Sequence, residues 1–198
     1  MSRRSDVLQF RVELLGIEPP IWRRIQVPGS YTFWDLHVAI QDAMGWLDYH
    51  LHLFRVVGHE EGIGIPDDEG DDPIKTEPGW TLKIRDFFTE TEPLASYEYD
   101  FGDSWVHEVR FEGVQDPERG RRYPRCLSGT RRCPPEDCGG AHGYEDFLRI
   151  MNDPTDPEHE SMVEWAGGPF DPEEFDPGSV RFDNPRARWR KAFQEADT

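Results

Sequence analysis

All three cysteines of this chain lie in one proline- and glycine-rich stretch, residues 123–144, which reads YPRCLSGTRRCPPEDCGGAHGY. Proline lacks a backbone N–H and glycine weakens regular elements, so the stretch is predicted to contain neither helix nor strand. Such a segment must recover its backbone hydrogen bonds from side chains, from a metal, or by docking on a neighbouring sheet. We therefore expect the rest of the fold to be organised around it.

The cysteine spacing suggests a structural zinc site. Cys126, Cys133 and Cys138 are followed by His142, and structural zinc prefers closed tetrahedral sets of thiolates and imidazoles. His107, upstream of the stretch, is the alternative fourth ligand. The spacing differs from the common paired CxxC pattern, and free cysteines often pack as small buried hydrophobes. Zinc binding and simple packing are both left open.

The chain is strongly acidic, with 22 basic and 40 acidic residues among 198 and a formal net charge of −18. Neutralising phosphates requires the opposite sign, so general nucleic-acid binding is disfavoured. One local basic cluster is the exception, and its members are Arg119, Arg121, Arg122, Arg125, Arg131 and Arg132. We interpret the cluster as balancing acidic segments, with nucleic-acid binding through it as the alternative.

Membrane insertion and secretion have no support in the sequence. No apolar run approaches the length needed to cross a membrane, and the N-terminus leads directly into a strand-like pattern. A cytoplasmic protein without membrane contact is expected. Since that compartment is reducing and three is an odd number of cysteines, disulfides are disfavoured as well.

Hydrophobic periodicity predicts an α+β fold. Residues 9–14 and 21–27 alternate like two strands of a hairpin, and Thr32 with Asp35 resembles a capping box that starts a helix. Residues 51–57 are apolar on both faces, as in an interior strand. The order strand, strand, helix, strand predicts a β-grasp-like mixed sheet with one main packing helix.

The remaining chain is predicted to add three strands and two helices. The strands are residues 80–84, 95–101 and 105–114, and the helices are residues 144–151 and 159–166. The domain then consists of a sheet and helix core (6–114), a Cys/Pro/Gly-rich loop (115–143) and a helical C-terminal extension (144–198), all within a single domain spanning 1–198.

Two charged segments carry separate expectations. Residues 59–77 hold eight acids, but they lack the ligand spacing of an EF-hand, so a solvated loop is favoured over a calcium site. Residues 181–191 hold five basic residues and one acid, whereas residues 153–176 hold nine acids and no Lys or Arg. The contrast predicts that the basic tail folds back on an acidic surface or meets a partner.

A second polar constellation is compatible with catalysis. It consists of His50, His52, Asp100, Asp103 and His107. Carboxylates beside imidazoles can bind a divalent metal or transfer protons, provided that the fold brings them together. The sequence contains no phosphate loop, nucleophile elbow or HExxH motif.

Several blocks resemble the plasmid pRiA4b ORF-3-like family in order and spacing. They are IWRRIQVP, FWDLHVAIQDAMGW, YHLHLF, YEYDFGDSWVHEV, YPRCLSGTRRCPPEDCGGAHGYEDFL and FDPEEFD. The family is found on mobile elements, plasmids and chromosomes, and its members often carry the transposon-passenger label TnpR. The resemblance implies a small α+β domain and no particular activity. A resolvase is not supported, because the chain lacks a serine-recombinase catalytic domain and a basic helix-turn-helix.

The function expected from the sequence is that of a plasmid- or mobile-element-associated accessory protein. It would be a non-catalytic interaction module for a protein partner, with structural zinc held by the cysteines and either His107 or His142. A metal-dependent enzyme using the polar constellation is the first alternative, and a nucleic-acid accessory protein acting through the arginine cluster is the second.

Overall fold

The structure is a computed structural model and describes residues 6–66 and 75–194. Five acids of the predicted acidic loop lie outside the described residues, namely Asp67, Asp68, Glu69, Asp71 and Asp72. None of the helices in the described ranges is long and apolar enough to cross a membrane.

The described residues form one mixed sheet of eight strands. The strands are β1 (Val7–Leu14), β2 (Ile21–Pro28), β3 (His52–Val56), β4 (Gly62–Gly64), β5 (Thr76–Pro78), β6 (Leu94–Tyr99), β7 (Trp105–Gln115) and β8 (Arg125–Thr130). Their order across the sheet is β5-β4-β3-β6-β7-β1-β2-β8. Only the β4–β5 pair is parallel among these neighbours.

Within the part of the chain that the structure describes, four helices accompany the sheet: α1 (Phe33–Met44), α2 (Gly140–Met151), α3 (His159–Trp165) and α4 (Pro185–Phe193). The main packing helix, α1, begins with the predicted capping box. Thr32 Oγ1 accepts from the Asp35 backbone N–H, and Asp35 Oδ2 accepts from the Thr32 N–H. It ends at Gly45, whose φ of 95° suits glycine. The prediction of an α+β fold with one main helix on a mixed sheet is confirmed.

One predicted strand is wrong. Residues 80–84 do not pair as a strand; the chain forms a 3-10 turn at Ile84–Asp86 instead, and an isolated bridge joins Lys83 to Thr32. Ile84 donates its N–H to the Tyr31 carbonyl and accepts from the Phe88 N–H. This corner places the Phe88 side chain in the core, so burial of one aromatic ring decides the local backbone.

The cysteine stretch also differs from expectation, because it contains both a strand and the start of a helix. β8 pairs with β2 at the edge of the sheet, and its flanking prolines, Pro124 and Pro134, lie outside the strand. Gly129 leaves room on β8 for the Phe175 ring and the Trp22 carbonyl, each 2.6 Å from the position that a Cβ would occupy. The prolines therefore lie outside β8 and Gly129 makes room for its neighbours, so neither residue type prevents the strand from forming.

A buried arginine fastens the cysteine stretch to the sheet. The Arg23 side chain is 1% exposed and donates to the backbone carbonyls of Ala43, Thr130 and Arg131 at 2.7 to 2.9 Å. Its guanidinium also lies 3.7 Å from the centroid of the Phe175 ring. One side chain thus supplies hydrogen bonds that this irregular backbone would otherwise lack.

The basic C-terminal tail folds back on an acidic part of the surface, as one of the two sequence alternatives anticipated. Arg188 of α4 lies 2.7 Å from Asp42 of α1 and 3.7 Å from Asp48. Arg188 also lies 2.6 Å from Asp183 of the tail itself, and it makes no ion pair with the described acids of residues 153–176.

Candidate functional site

His50 and Asp100 meet at the end of the sheet where β3 begins and β6 ends. His50 Nε2 lies 3.5 Å from Asp100 Oδ2 and 3.0 Å from Asp137 Oδ1. The predicted constellation contains the first two residues but not Asp137. Asp137 carries no periodic signal, and it lies in an irregular loop far from the other two in sequence. Asp137 reaches His50 because its loop docks on the sheet.

The Asp100 carboxylate is held in a fixed orientation. Its Oδ1 accepts from the backbone N–H groups of Gly102 at 2.9 Å and Asp103 at 3.3 Å. Asp100 itself has a φ of 57°, a conformation that aspartate tolerates better than most residues. The second oxygen, Oδ2, therefore points toward His50.

Asp103 ties this turn to the cysteine stretch. Its Oδ2 accepts from the Gly139 N–H at 3.0 Å, and its carbonyl oxygen lies 2.6 Å from where a Cβ on Gly140 would stand. Because Gly140 also has a φ of 69°, glycine is required there for both reasons. The DFGD and CPPEDCGG sequence blocks thus meet in space.

Glu136 joins the same loop to the connection between α1 and β3. Its carboxylate accepts from the Leu47 N–H at 2.7 Å and from the Tyr99 hydroxyl at 3.1 and 3.2 Å. Burial is the main cause that raises the pKa of this carboxyl group. The Tyr99 oxygen in turn accepts from the Tyr49 N–H at 3.0 Å.

His52 and His107 belong to the interior. His52 stacks on His37, with ring centroids 3.6 Å apart, and desolvation lowers its pKa well below the ordinary value. His107 is fully buried, donates from Nδ1 to the Tyr97 carbonyl, and has its pKa lowered by burial to about 4. The structure does not bring these two side chains to the pair of His50 and Asp100.

The structure does not gather the cysteines into one ligand set. Two groups of three candidate ligand side chains lie within 4.8 Å of one another in the described ranges, and neither contains a cysteine. The first is His50, Asp100 and Asp137, and the second is His59, Glu61 and Glu77.

The individual cysteines have separate environments. Cys133 Sγ lies 3.3 Å from Met44 Sδ, whereas Cys126 contacts the Ser128 carbonyl. Burial raises the pKa of Cys133 to about 11 and that of Cys138 to about 12. The His142 side chain is 89% exposed on α2. Zinc at these residues stays a prediction.

Most of the predicted arginine cluster is engaged in ion pairs. Arg121 and Arg125 contact Glu118, Arg131 contacts Glu173, and Arg132 contacts Glu174. In addition, Arg131 is only 7% exposed. Arg119 and Arg122 make no ion pair with the described residues. The cluster therefore has little unpaired positive charge with which to bind nucleic acid.

An exposed apolar surface adjoins the site of His50. We call it the apolar face, and its side chains are Leu47 (61% exposed), Tyr49 (70%), Leu51 (52%) and Phe101 (51%). The Asp100 N–H donates to the Leu51 carbonyl, so the two chain segments adjoin. The sequence did not predict this face, because the alternation placed residues 51 and 101 inside strands. In the structure β3 begins at His52 and β6 ends at Tyr99, so both residues lie just outside the sheet.

The chain is similar to known proteins in both sequence and structure. The sequence profile of the plasmid pRiA4b ORF-3-like proteins matches residues 6–179. The uncharacterised protein y4hQ of Sinorhizobium fredii is 35% identical over 198 residues, covering 95% of this chain and 97% of that protein. The crystal structure of MM3350, a protein of unknown function from Methanosarcina mazei Go1, has a TM-score of 0.82 and 43% identity, covering 90% of this chain and 99% of that one. The chain belongs to the plasmid pRiA4b ORF-3-like family.

Proposed function

We propose that this protein is a non-catalytic interaction module that binds a protein partner through the apolar face. The observation that carries the proposal is the concentration of exposed large hydrophobic side chains there. Eight large hydrophobic side chains are exposed in the described ranges, and four of them belong to this surface. Exposed apolar side chains grouped in this way mark interaction sites, because their exposure to water is unfavourable until a partner covers them.

The backbone beneath the apolar face is ordered before any partner arrives. Leu47 N–H is bonded to Glu136, Tyr49 N–H to the Tyr99 hydroxyl, and the Leu51 carbonyl to the Asp100 N–H. A preorganised surface loses little conformational entropy on binding, so more of the contact energy appears as affinity. Tyr49 is the natural anchor, since interface hot spots are enriched in tyrosine.

The surroundings of the apolar face define the partner's chemistry. Asp137, with a side chain 64% exposed, and Asp103 stand beside it, and the whole chain carries a net charge of −18. Complementary charge steers association and discriminates among partners. The partner is therefore a polypeptide segment with apolar anchors flanked by Lys or Arg.

Catalysis by the predicted constellation has weaker support. Among its five members only the side chains of His50 and Asp100 meet, and those of His52 and His107 are enclosed in the core. A catalytic set needs convergent geometry, so the interaction module is the better conclusion.

The test is a selection from a random peptide library displayed on phage, with the purified full-length chain as the target. We expect the enriched peptides to combine one or two large apolar residues with flanking Lys or Arg. Their affinity should fall at least about tenfold for the double variant Leu47→Ser, Tyr49→Ser, which corresponds to about 1.4 kcal/mol.

The matched control is the double variant Val57→Ser, Val114→Ser, which removes two exposed apolar side chains near the opposite ends of β3 and β7. It should bind the selected peptides like the original chain. Failure to enrich any peptide, or equal loss of affinity in both double variants, would contradict the proposal.

A further inference from the structure

We propose that His50, Asp100 and Asp137 form a binding site for a first-row divalent metal ion such as Zn²⁺ or Co²⁺. The inference goes beyond the interaction function and does not depend on it. It also differs from the cysteine-based zinc site, because it uses one imidazole nitrogen and two carboxylate oxygens.

The spacing of the three ligand atoms suits one shared ion. His50 Nε2 lies 3.0 Å from Asp137 Oδ1 and 3.5 Å from Asp100 Oδ2, and all three atoms lie within 4.8 Å of one another. Ligands about 2.1 Å from a metal stand about 3.0 Å apart at adjacent octahedral positions and about 3.4 Å apart at tetrahedral positions. Both interatomic distances to Nε2 fall close to these values.

The His50 ring nitrogen provides an independent observation. Nε2 is buried and makes no well-directed hydrogen bond within the described ranges, although two carboxylate oxygens stand close to it. When the ring hydrogen is on Nδ1, a neutral Nε2 and two carboxylate oxygens at these distances repel one another unless a positive charge lies between them. A bound metal ion satisfies the nitrogen and both oxygens together.

The supporting groups hold the ligands in place. Asp100 is 7% exposed and its Oδ1 is occupied by two backbone N–H donors, so only Oδ2 is available to a metal. The loop that carries Asp137 is held to the same turn by the Gly139 N–H donating to Asp103. Groups that orient metal ligands in this way raise affinity, since they reduce the reorganisation needed on binding.

The donor set indicates which ions bind. Imidazole suits zinc, cobalt and iron, whereas calcium and magnesium prefer sets made of oxygen alone. The His50 side chain is 29% exposed and the Asp137 side chain 64%, so solvent can reach the site. Three protein ligands with water in the remaining positions are the expected coordination.

The experiment is calorimetric titration of ZnCl₂ and CoCl₂ into the full-length chain after removal of metals with a chelator. We expect one ion per chain, and a visible absorption band for the cobalt form. Asp137→Asn should weaken binding at least about tenfold, because it removes one anionic ligand. The variant should fold normally, since Asp137 is exposed and asparagine tolerates its φ of 56°.

Two further variants locate the ion. His59→Gln alters the other described ligand group, and Cys138→Ser alters the cysteine stretch, so both should bind zinc like the original chain. Loss of binding in either of them with full binding in Asp137→Asn would overturn the proposal, and so would no binding at about 1 mM zinc. Because no peptide is present, the result is separate from the test of the apolar face.

Discussion

Buried histidines show how strongly this core changes the chemistry of single residues. His37 and His107 are 0% exposed, and His52 is 3% exposed. His37 is bonded to the Tyr97 hydroxyl and to Asp48, whereas Nδ1 of His52 and Nε2 of His107 lack partners within the described ranges. An imidazole without partners in the core is stable only when it is neutral. The folded state therefore resists protonation at His52 and His107, whose pKa values burial lowers.

His107 should make the protein less stable in mild acid. Its pKa is lowered to about 4 in the folded chain, against about 6.5 when unfolded, so the unfolded chain binds more protons between those values. The contribution of His107 to stability is therefore fully present above about pH 6.5, and it is lost as the pH decreases toward 4. From pH 7 to pH 5 this residue alone should reduce the free energy of unfolding by about 2 kcal/mol.

The measurement is urea unfolding at the two pH values for the original chain and for His107→Gln, which can still donate to the Tyr97 carbonyl. The difference between the two chains isolates His107 from the other histidines. The variant should lose about 2 kcal/mol less than the original chain over this interval. Equal losses would show that His107 does not titrate as described.

At the scale of elements, the contact between the β6–β7 turn and the start of α2 decides how the site is built. Gly140, the first residue of α2, has a φ of 69° and packs directly on the Asp103 carbonyl. Gly167, which follows α3, has a similar φ of 75°, but no atom of the described residues lies within 4 Å of its Cβ position. The two glycines share a backbone conformation and differ in their surroundings.

Gly140→Ala should therefore destabilise the protein more than Gly167→Ala. Both substitutions place alanine in the left-handed region at a cost of about 1 kcal/mol, but only the first forces the Asp103 carbonyl away. Thermal unfolding should show a loss of about 3 kcal/mol for Gly140→Ala and about 1 kcal/mol for Gly167→Ala. Similar losses would indicate that the turn and the helix separate without strain.

At the scale of the whole molecule, α4 is fastened to the α+β core by charge and aromatic packing. Arg188 contacts Asp42, whose side chain is only 6% exposed, and Phe193 packs on Trp34 at 5.4 Å between ring centroids. The helix begins at Pro185, beyond the last residue matched by the family profile. It adds four basic residues to a chain whose formal net charge is −18.

Arg188→Gln should loosen α4 without unfolding the sheet, because it leaves the buried Asp42 carboxylate without its cation. Hydrogen exchange of the backbone amides in Pro185–Phe193 should become at least about tenfold faster, while those of β7 stay unchanged. Arg186→Gln is the matched control, since Arg186 makes no ion pair with described residues. Equal exchange in both variants would mean that aromatic packing alone holds the helix.

Local signals in the sequence were sufficient for the elements that local interactions build. The capping box at Thr32, the alternation in β1 and β2, and the helical periodicity of residues 144–151 in α2 each depend on residues close together in the chain. The corner at Ile84 and strand β8 were predicted wrongly, because one depends on burying Phe88 and the other on pairing with β2. Local secondary-structure propensity does not predict either of these contacts.

The family, the α+β class, the main helix and the acidic character of this protein follow from the sequence alone. Which polar residues meet depends on the folded chain, because His50, Asp100 and Asp137 come from three segments brought together by strand order and loop docking. The exposure of Leu51 and Phe101 to solvent also depends on the folded chain, since alternation cannot show where strand pairing stops. Sites of this kind arise from long-range contacts, whose geometry is set by the packing of the whole chain.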